Sequence, residues 1–382
     1  MIGALSPLSF YIHVPYCLKR CGYCDFNTYT PGELRNGGDL ATVSDGYIDL
    51  IIRESNFVPP AGPIPTIFFG GGTPTLLEPL DLGRLLRHLE NRFGFTEDAE
   101  ITIEANPDTV TLEKLEQLKE IGINRISFGM QSSNPQVLKV LDRTHNPENV
   151  FKATEWAKSA QFEHISVDLI YGVPSESITD WRSSVETALS LPIDHISAYA
   201  LIVEDGTKLA GQVRRGEIVM PDEDETADKY LLVDELATAA GLSWYELSNW
   251  SKPGGECRHN IAYWEGKNWW GLGPGAHSHM NGRRWWNVKH PNAYREKLSG
   301  QNSPMHEEEN LTAEQIEQER IMLNIRLPRG LALATLSAEQ VQSVLGYRES
   351  GHLDAGSWAN GNLTLTRSGR LIADRIVREI LL

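Results

Sequence analysis

Residues 10–26 read FYIHVPYCLKRCGYCDF. A short β-branched and aromatic run ends at Val14, and Cys17, Cys21 and Cys24 follow it within eight positions. Three clustered thiols are an odd number for a disulfide framework and one short of a closed zinc site, which takes four ligands. The fourth cysteine, Cys257, lies more than 200 residues away. Lys19, Arg20 and Asp25, interleaved with the thiols, argue against three packed structural cysteines. Thiolates spaced C-x3-C-x2-C after a strand can instead reach three corners of an iron–sulfur cube. That arrangement leaves one iron without a protein ligand.

Outward from this loop, strand-like runs alternate with helical stretches as far as about residue 202. The expected strands are SFYIHV at 9, TIFFG at 66, EITIEA at 100, RISFG at 125, ISVDLIYG at 165 and HISAYALI at 195. Between them, Leu82, Leu85, Leu86 and Leu89 follow the i, i+3, i+4, i+7 rule, and Leu112, Leu115, Leu118 and Ile121 precede Gly122. Apolar strands separated by helices imply parallel βα units with both sheet faces covered. Six such units are too few to close an eight-stranded barrel, so the expectation is an α/β fold with an open or partial (β/α)6 barrel. In parallel β/α barrels the carboxyl ends of the strands share one rim, where ligands bind. Gly70, Gly71, Gly72, Glu104, Gln131 and Asp168 all fall at such ends. A glycine run alone often marks a tight turn, and one polar residue can be a satisfied core group; several on one rim point to a polar ligand.

Beyond about residue 240 the texture changes. Seven of the ten tryptophans fall between Trp244 and Trp286, among many glycines. The stretch GQNSPMHEEE at 300 reads as a linker, and EQIEQERIMLNI, SAEQVQSVLG, NLTLT and LIADRIVREIL follow it as helices, a short strand and a closing helix. This order suggests three units: a partial barrel over 1–240, a Trp/Gly-rich extension over 241–300 and a winged-helix-like domain over 301–382. Eight basic and eight acidic residues from 310 to 382 give that last unit no excess charge for phosphates. The net charge of −16 likewise argues against nucleic acid or an anionic membrane surface as partner. No run approaches the ~20 apolar residues of a membrane span. The opening MIGALSPLSF lacks the features of a secretory signal, so a cytoplasmic protein with reduced thiols is expected.

The pairing of CLKRCGYC after the first strand with FFGGGTPT after the second resembles the radical S-adenosylmethionine (SAM) superfamily. The resemblance implies a [4Fe–4S] cluster on Cys17, Cys21 and Cys24 whose open iron is chelated by SAM. It also implies an electron donor for the cluster and reductive cleavage of the SAM sulfonium to a 5′-deoxyadenosyl radical. The closer resemblance is to the coproporphyrinogen-oxidase-like branch and covers nearly the whole chain. It carries the SAM-contacting positions over to Tyr11, Tyr23, Gly71, Gly72, Thr73, Glu104, Gln131, Arg143 and Asp168. The chemistry agrees: Glu104 and Asp168 suit hydroxyls or an amino group, and the Arg143 fork suits a carboxylate.

Within that branch, the anaerobic coproporphyrinogen III oxidases carry a further cysteine two residues after the third, where this chain has Phe26. They also bind a second SAM and use a longer N-terminal segment, whereas eight residues precede the first expected strand here. The segment CRHNIAYW resembles the H-N-x-x-Y-W signature of the HemW-type haem chaperones, with His259, Asn260, Tyr263 and Trp264 in the matching positions. That resemblance implies haem as cargo and a haem-acceptor protein as partner. An imidazole is a common axial ligand of haem iron, aromatic faces suit a porphyrin, and Arg258, Arg283 or Arg284 suit its propionates. Read without the resemblance, a lone histidine in an aromatic segment is more often a hydrogen-bonded core residue. Cys257 reads as a buried thiol, and His277 and His279 as shapers of a glycine-rich loop. Two other readings remain: a SAM-dependent oxidase that decarboxylates coproporphyrinogen, and a DNA-associated regulator, which the charge count disfavours.

Overall fold

The computed structural model describes residues 5–34, 44–143 and 146–382. Its centre is a mixed twelve-stranded sheet that does not close on itself. Six strands run in the order expected: β1 (Ser9–Val14), β2 (Ile64–Gly71), β3 (Phe95–Ala105), β4 (Arg125–Gln131), β5 (His164–Tyr171) and β6 (His195–Ala200). Each pairs with the next in parallel, as βα units require.

The intervening helices form where the leucine periodicity places them. The helix Pro79–Phe93 starts with proline at its first turn and buries Leu82, Leu85, Leu86 and Leu89. Burying each such leucine contributes ~1.5–3 kcal/mol. The helix Leu112–Glu120 is capped by Thr111, whose hydroxyl accepts from the Lys114 amide, and buries Leu115 and Leu118. These leucines join Phe10, Ile12, Ile67, Phe69, Ile101, Ile103, Ile126 and Phe128 in one core.

Only that face of the central sheet is apolar. The alternate residues on the other face include Glu100, Thr102, Arg125, Ser127, Ser166, Asp168, His195 and Ser197. Strand alternation sends them away from the core, and most of them line a cavity. The runs looked continuously apolar because small and hydroxylated residues separate the large ones.

The tryptophan-rich segment extends the sheet at both edges. β7 (Ser243–Glu246) and β8 (Asn249–Ser251) add antiparallel strands beside β6. β9 (Trp269–Leu272) pairs parallel with β1. β10 (His277–Met280), β11 (Arg283–Asn287) and β12 (Met305–Asn310) then continue outward as antiparallel strands. β12 corrects the reading of 300–309 as a linker: its Glu307, Glu308 and Glu309 pair with Trp286, Trp285 and Arg284, and a polar edge strand has the composition of a loop. Between the two additions, the helix Arg258–Trp264 packs on β2 and β3.

The last seventy residues form helices around a two-stranded ladder of β13 (Leu331–Ala332) and β14 (Asn362–Leu363). They gather a second core from Ile321, Ile325, Leu331, Val344, Leu363, Ile376 and Ile380. Arg370 and Arg367 anchor this part to Asp234 at 2.8 and 2.9 Å. No helix among the described residues is long and apolar enough to cross a membrane.

Candidate functional site

One cavity of about 600 Å³ opens on the polar face of the sheet. Of the sixteen residues that the resemblance carries over to cluster, SAM or the H-N-x-x-Y-W signature, all but Trp264 line it, while Arg258, Arg283 and Arg284 do not. The three cysteines, Tyr23 and Thr73 line it, as do His259, Asn260 and Tyr263 from the helix Arg258–Trp264.

The cysteine loop is held at both ends. The Cys17 amide donates to the Tyr29 carbonyl at 3.1 Å, and the Cys24 amide closes a turn onto the Cys21 carbonyl at 3.3 Å. The thiols are half-buried. Thr73 Oγ1 lies 3.9 Å from Cys17 Sγ, and Arg143 Nη1 lies 3.4 Å from Cys21 Sγ. Burial pushes the Cys17 thiol up to about 11, and its neighbours Cys24 and Cys21 oppose a further negative charge. Bound iron reverses that balance, because a coordinated thiol is deprotonated. No group of three such side chains among the described residues is drawn tightly enough for a single ion. A four-iron cluster asks for a wider set, because each thiolate ligates a different iron.

At the end of β2 the backbone itself forms the wall. Gly71 has φ 110°, and a Cβ there would sit 2.6 Å from the His13 ring; one at Gly72 would sit 2.5 Å from the Tyr16 carbonyl oxygen. Only glycine fits either place. The Gly71 amide donates to Glu104 Oε2 at 3.1 Å. Burial lifts Glu104 to about 8, and Asp168 adds like charge; Asp168 is itself raised by burial while Ser127 donates to it at 3.0 Å. Two buried carboxylates facing one cavity favour a ligand with hydroxyl or ammonium donors. Arg143 donates to the Gly129 carbonyl at 2.9 Å and keeps Nε without a partner among the described residues. Gln131 adopts φ 63°, costly for a residue with a side chain, and its buried Oε1 also lacks a partner. Buried polar atoms left unpaired cost free energy unless a ligand or water meets them.

The histidine of the aromatic segment is buried and hydrogen-bonded. His259 is only 1% exposed. Its Nδ1 meets Thr66 Oγ1 at 2.7 Å, its Nε2 meets the Tyr263 hydroxyl at 2.9 Å, and its ring stacks on Phe68. Thr66 donates to Ser9, so it accepts from Nδ1, and the Tyr263 hydroxyl occupies the Nε2 lone pair. Burial holds the ring neutral, down at about 3. Both ring nitrogens are engaged, one with β2 and one within its own helix, the surroundings of a hydrogen-bonded core histidine. Asn260 donates to Glu246 at 3.2 Å, and Trp264 packs under Arg326. The three arginines considered for propionates are also engaged: Arg258 with Asp98, Arg283 with Glu308, Arg284 with Glu309 and Glu319. Cys257 is a buried thiol, as expected.

Comparison with known proteins follows this geometry. Residues 11–188 match the family model described as the radical SAM superfamily. The chain is 45% identical over 376 residues to a protein named heme chaperone HemW from Mycobacterium tuberculosis, covering 98% of this chain and 95% of that one. The chain belongs to the HemW family. Its HemW relative in Bacillus subtilis is 32% identical over 377 residues, covering 96% of this chain and 97% of that one. Among solved structures, coproporphyrinogen III oxidase (HemN) from Escherichia coli matches with a TM-score of 0.81 at 23% identity, over 98% of this chain and 90% of that one. That likeness establishes the radical SAM fold. HemW membership in the radical SAM superfamily implies a [4Fe–4S] cluster and SAM.

Sequence reasoning missed the deeper wall of this HemW-family cavity. Arg125 donates to Glu100 at 3.2 Å and to the Gly255 carbonyl at 2.9 Å, while its Nη1, Thr102 Oγ1 and His195 Nδ1 lack partners among the described residues. Burial and Arg125 hold His195 neutral, down at about 3. His13 was missed too: its Nε2 donates to the Asn27 carbonyl at 2.9 Å, so Nδ1 accepts from the Tyr11 hydroxyl at 3.0 Å. Position alone signals it, because His13 stands two residues after Tyr11 on the same strand face.

Proposed function

We propose that this chain binds haem and passes it to an acceptor protein, using a fold that also carries a [4Fe–4S] cluster and SAM. The observation that carries the reading is 45% identity, over 98% of the chain, to a protein named as a haem chaperone. The cluster is assigned to Cys17, Cys21 and Cys24, which all line the cavity. SAM is assigned to the wall beside them: the Gly71–Gly72 backbone, Tyr11, Tyr23, Thr73, Glu104, Gln131, Arg143 and Asp168. Cluster and SAM together supply one-electron chemistry at the sulfonium when bound. The chain's own part is to hold the thiolates, to offer Arg143 to a carboxylate and to present Glu104 and Asp168 to donors. The unpaired Gln131 and Arg143 atoms support a polar occupant.

His259, Asn260, Tyr263 and Trp264 belong to this reading as the segment assigned to haem, with the His259 imidazole offered to the iron in exchange for its contact with the Tyr263 hydroxyl. An external electron donor and a haem-acceptor protein complete the set of partners, with no nucleic acid among them and a cytoplasmic setting. The units 1–240, 241–300 and 301–382 are taken as the working division of the chain.

Oxygen-independent coproporphyrinogen III oxidase is the competing reading, favoured by the shared fold. Phe26 occupies the position where those enzymes carry their additional cysteine. The test is anaerobic: reconstituted protein is titrated with haem, then incubated with coproporphyrinogen, SAM and a reductant. Haem binding without decarboxylation is expected. Decarboxylation with no haem binding gives the case to the oxidase.

A further inference from the structure

On β2, Thr66 and Phe68 fall on one face of the strand, because alternate residues point the same way. Both meet the helix Arg258–Trp264. The His259 ring stacks on Phe68 at 5.3 Å and 29°, and its Nδ1 lies 2.7 Å from Thr66 Oγ1. Thr66 donates its own proton to Ser9 Oγ on β1 at 2.8 Å, so its oxygen accepts from Nδ1–H. Ser9, Thr66 and His259 are all buried, and an unpaired polar atom among them would be costly.

A neutral imidazole carries one N–H and one lone pair, and the hydrogen bond at one nitrogen decides what the other carries. With the proton on Nδ1, the lone pair is on Nε2, where it accepts from the Tyr263 hydroxyl at 2.9 Å. His259 and Tyr263 line the cavity, whereas Ser9 and Thr66 do not. The proton is therefore held on the sheet side of the ring, and the lone pair is left on the side of the cavity. Exchanging the Tyr263 hydroxyl for iron breaks one hydrogen bond and leaves the contact with Thr66 intact.

We infer that Thr66, backed by Ser9, is the positioning residue that keeps the His259 proton on Nδ1 and reserves Nε2 for the haem iron. The inference rests on the haem-binding reading above and adds the residue that selects the ligand nitrogen. A hydrogen bond at the second nitrogen fixes the ring and raises the basicity of the first, an effect of about 10–100-fold in affinity at metal sites. Valine at position 66 keeps the β-branched shape but offers no acceptor. The proton then moves to Nε2, where the Tyr263 hydroxyl accepts it, and the ligand nitrogen is blocked.

Two measurements on reconstituted full-length protein test this, the first without haem. Isotope-edited NMR of the histidine ring nitrogens reports the tautomer, and subtraction of the His259→Ala spectrum assigns His259 among the eleven histidines. The wild type should show Nδ1–H, Thr66→Val should show Nε2–H, and Thr66→Ser should keep the wild-type pattern. The second measurement adds ferric haem under anaerobic conditions, read by Soret absorbance and electron paramagnetic resonance. Thr66→Val should weaken binding about tenfold and alter the iron signal, while Thr66→Ser stays within about twofold of the wild type. Cluster absorbance should match the wild type in both variants, which separates the effect from misfolding. An Nε2–H tautomer in the wild type would overturn the inference, as would a wild-type tautomer and affinity in Thr66→Val. Haem affinity and spectrum left unchanged by His259→Ala would overturn it as well. Failure of the wild-type protein to bind haem, with the Nδ1–H tautomer in place, is a separate result that would overturn the haem reading itself.

Discussion

At the scale of single residues, Cys17, Cys21 and Cys24 make the plainest demand. Alanine at any one of them should abolish most of the cluster absorbance after reconstitution. Cys257→Ala should not, because that thiol is buried 3.6 Å from Glu100 and away from the loop. Equal loss from Cys257→Ala would contradict a three-thiolate site. Glu104 makes a second prediction through pH. Burial lifts Glu104 to about 8, and Glu54 and Glu246 to about 7, from an ordinary value of 4.5. Between 4.5 and those values the native chain holds protons that the unfolded chain has released, so stability falls as pH rises through the folded values. His195 and His259, lowered to about 3, act in the opposite sense, but only below their unfolded value of 6.5. The urea midpoint of SAM-free protein should therefore drop between about pH 6.5 and 8.5, and Glu104→Gln should flatten the slope. A flat or rising midpoint in the wild type would count against the buried carboxylates. The strand-end residues were legible because their spacing alone put them on one rim. The burial of His259 agrees with the reading of a lone histidine in an aromatic segment as a hydrogen-bonded core residue. Its partners Thr66 and Tyr263 were not legible, because residue type does not say which groups meet its nitrogens.

Elements explain why that histidine is buried. Glu100 on β3 accepts from the Arg258 and His259 amides at 3.0 and 2.9 Å, so a strand carboxylate caps the first turn of the helix Arg258–Trp264. The same carboxylate pairs with Arg125 on β4, both side chains being almost fully buried. Glu100→Ala should cost ~3–5 kcal/mol in denaturant unfolding, because it strands the Arg125 charge as well as the helix end. A loss below about 1 kcal/mol would show that water already serves that end of the cavity. None of this was visible in EITIEA, which reads as a strand whichever face Glu100 takes. All six parallel strands were legible, since each is a β-branched run beside a periodic helix. The edge strand β12 was not, because Met305–Asn310 is polar and gains its place only from pairing with β11.

Taken as a whole molecule, the chain combines a cavity lined in part by the cysteine loop, a sheet extended at both edges and a second core at the C-terminus. The order of helices and strands at the C-terminus could be read from periodicity, while its docking through Arg370 and Asp234 depends on residues 136 positions apart. The account centres on haem transfer, and one measurement addresses it directly. Reconstituted protein loaded with one equivalent of haem is mixed anaerobically with an apo-haem protein of distinct Soret maximum, and the spectrum is followed over time. The account predicts that haem moves to the acceptor faster than free haem released by dilution would allow, with the cluster spectrum preserved. Haem that stays bound, or leaves only at the dilution rate, would contradict it.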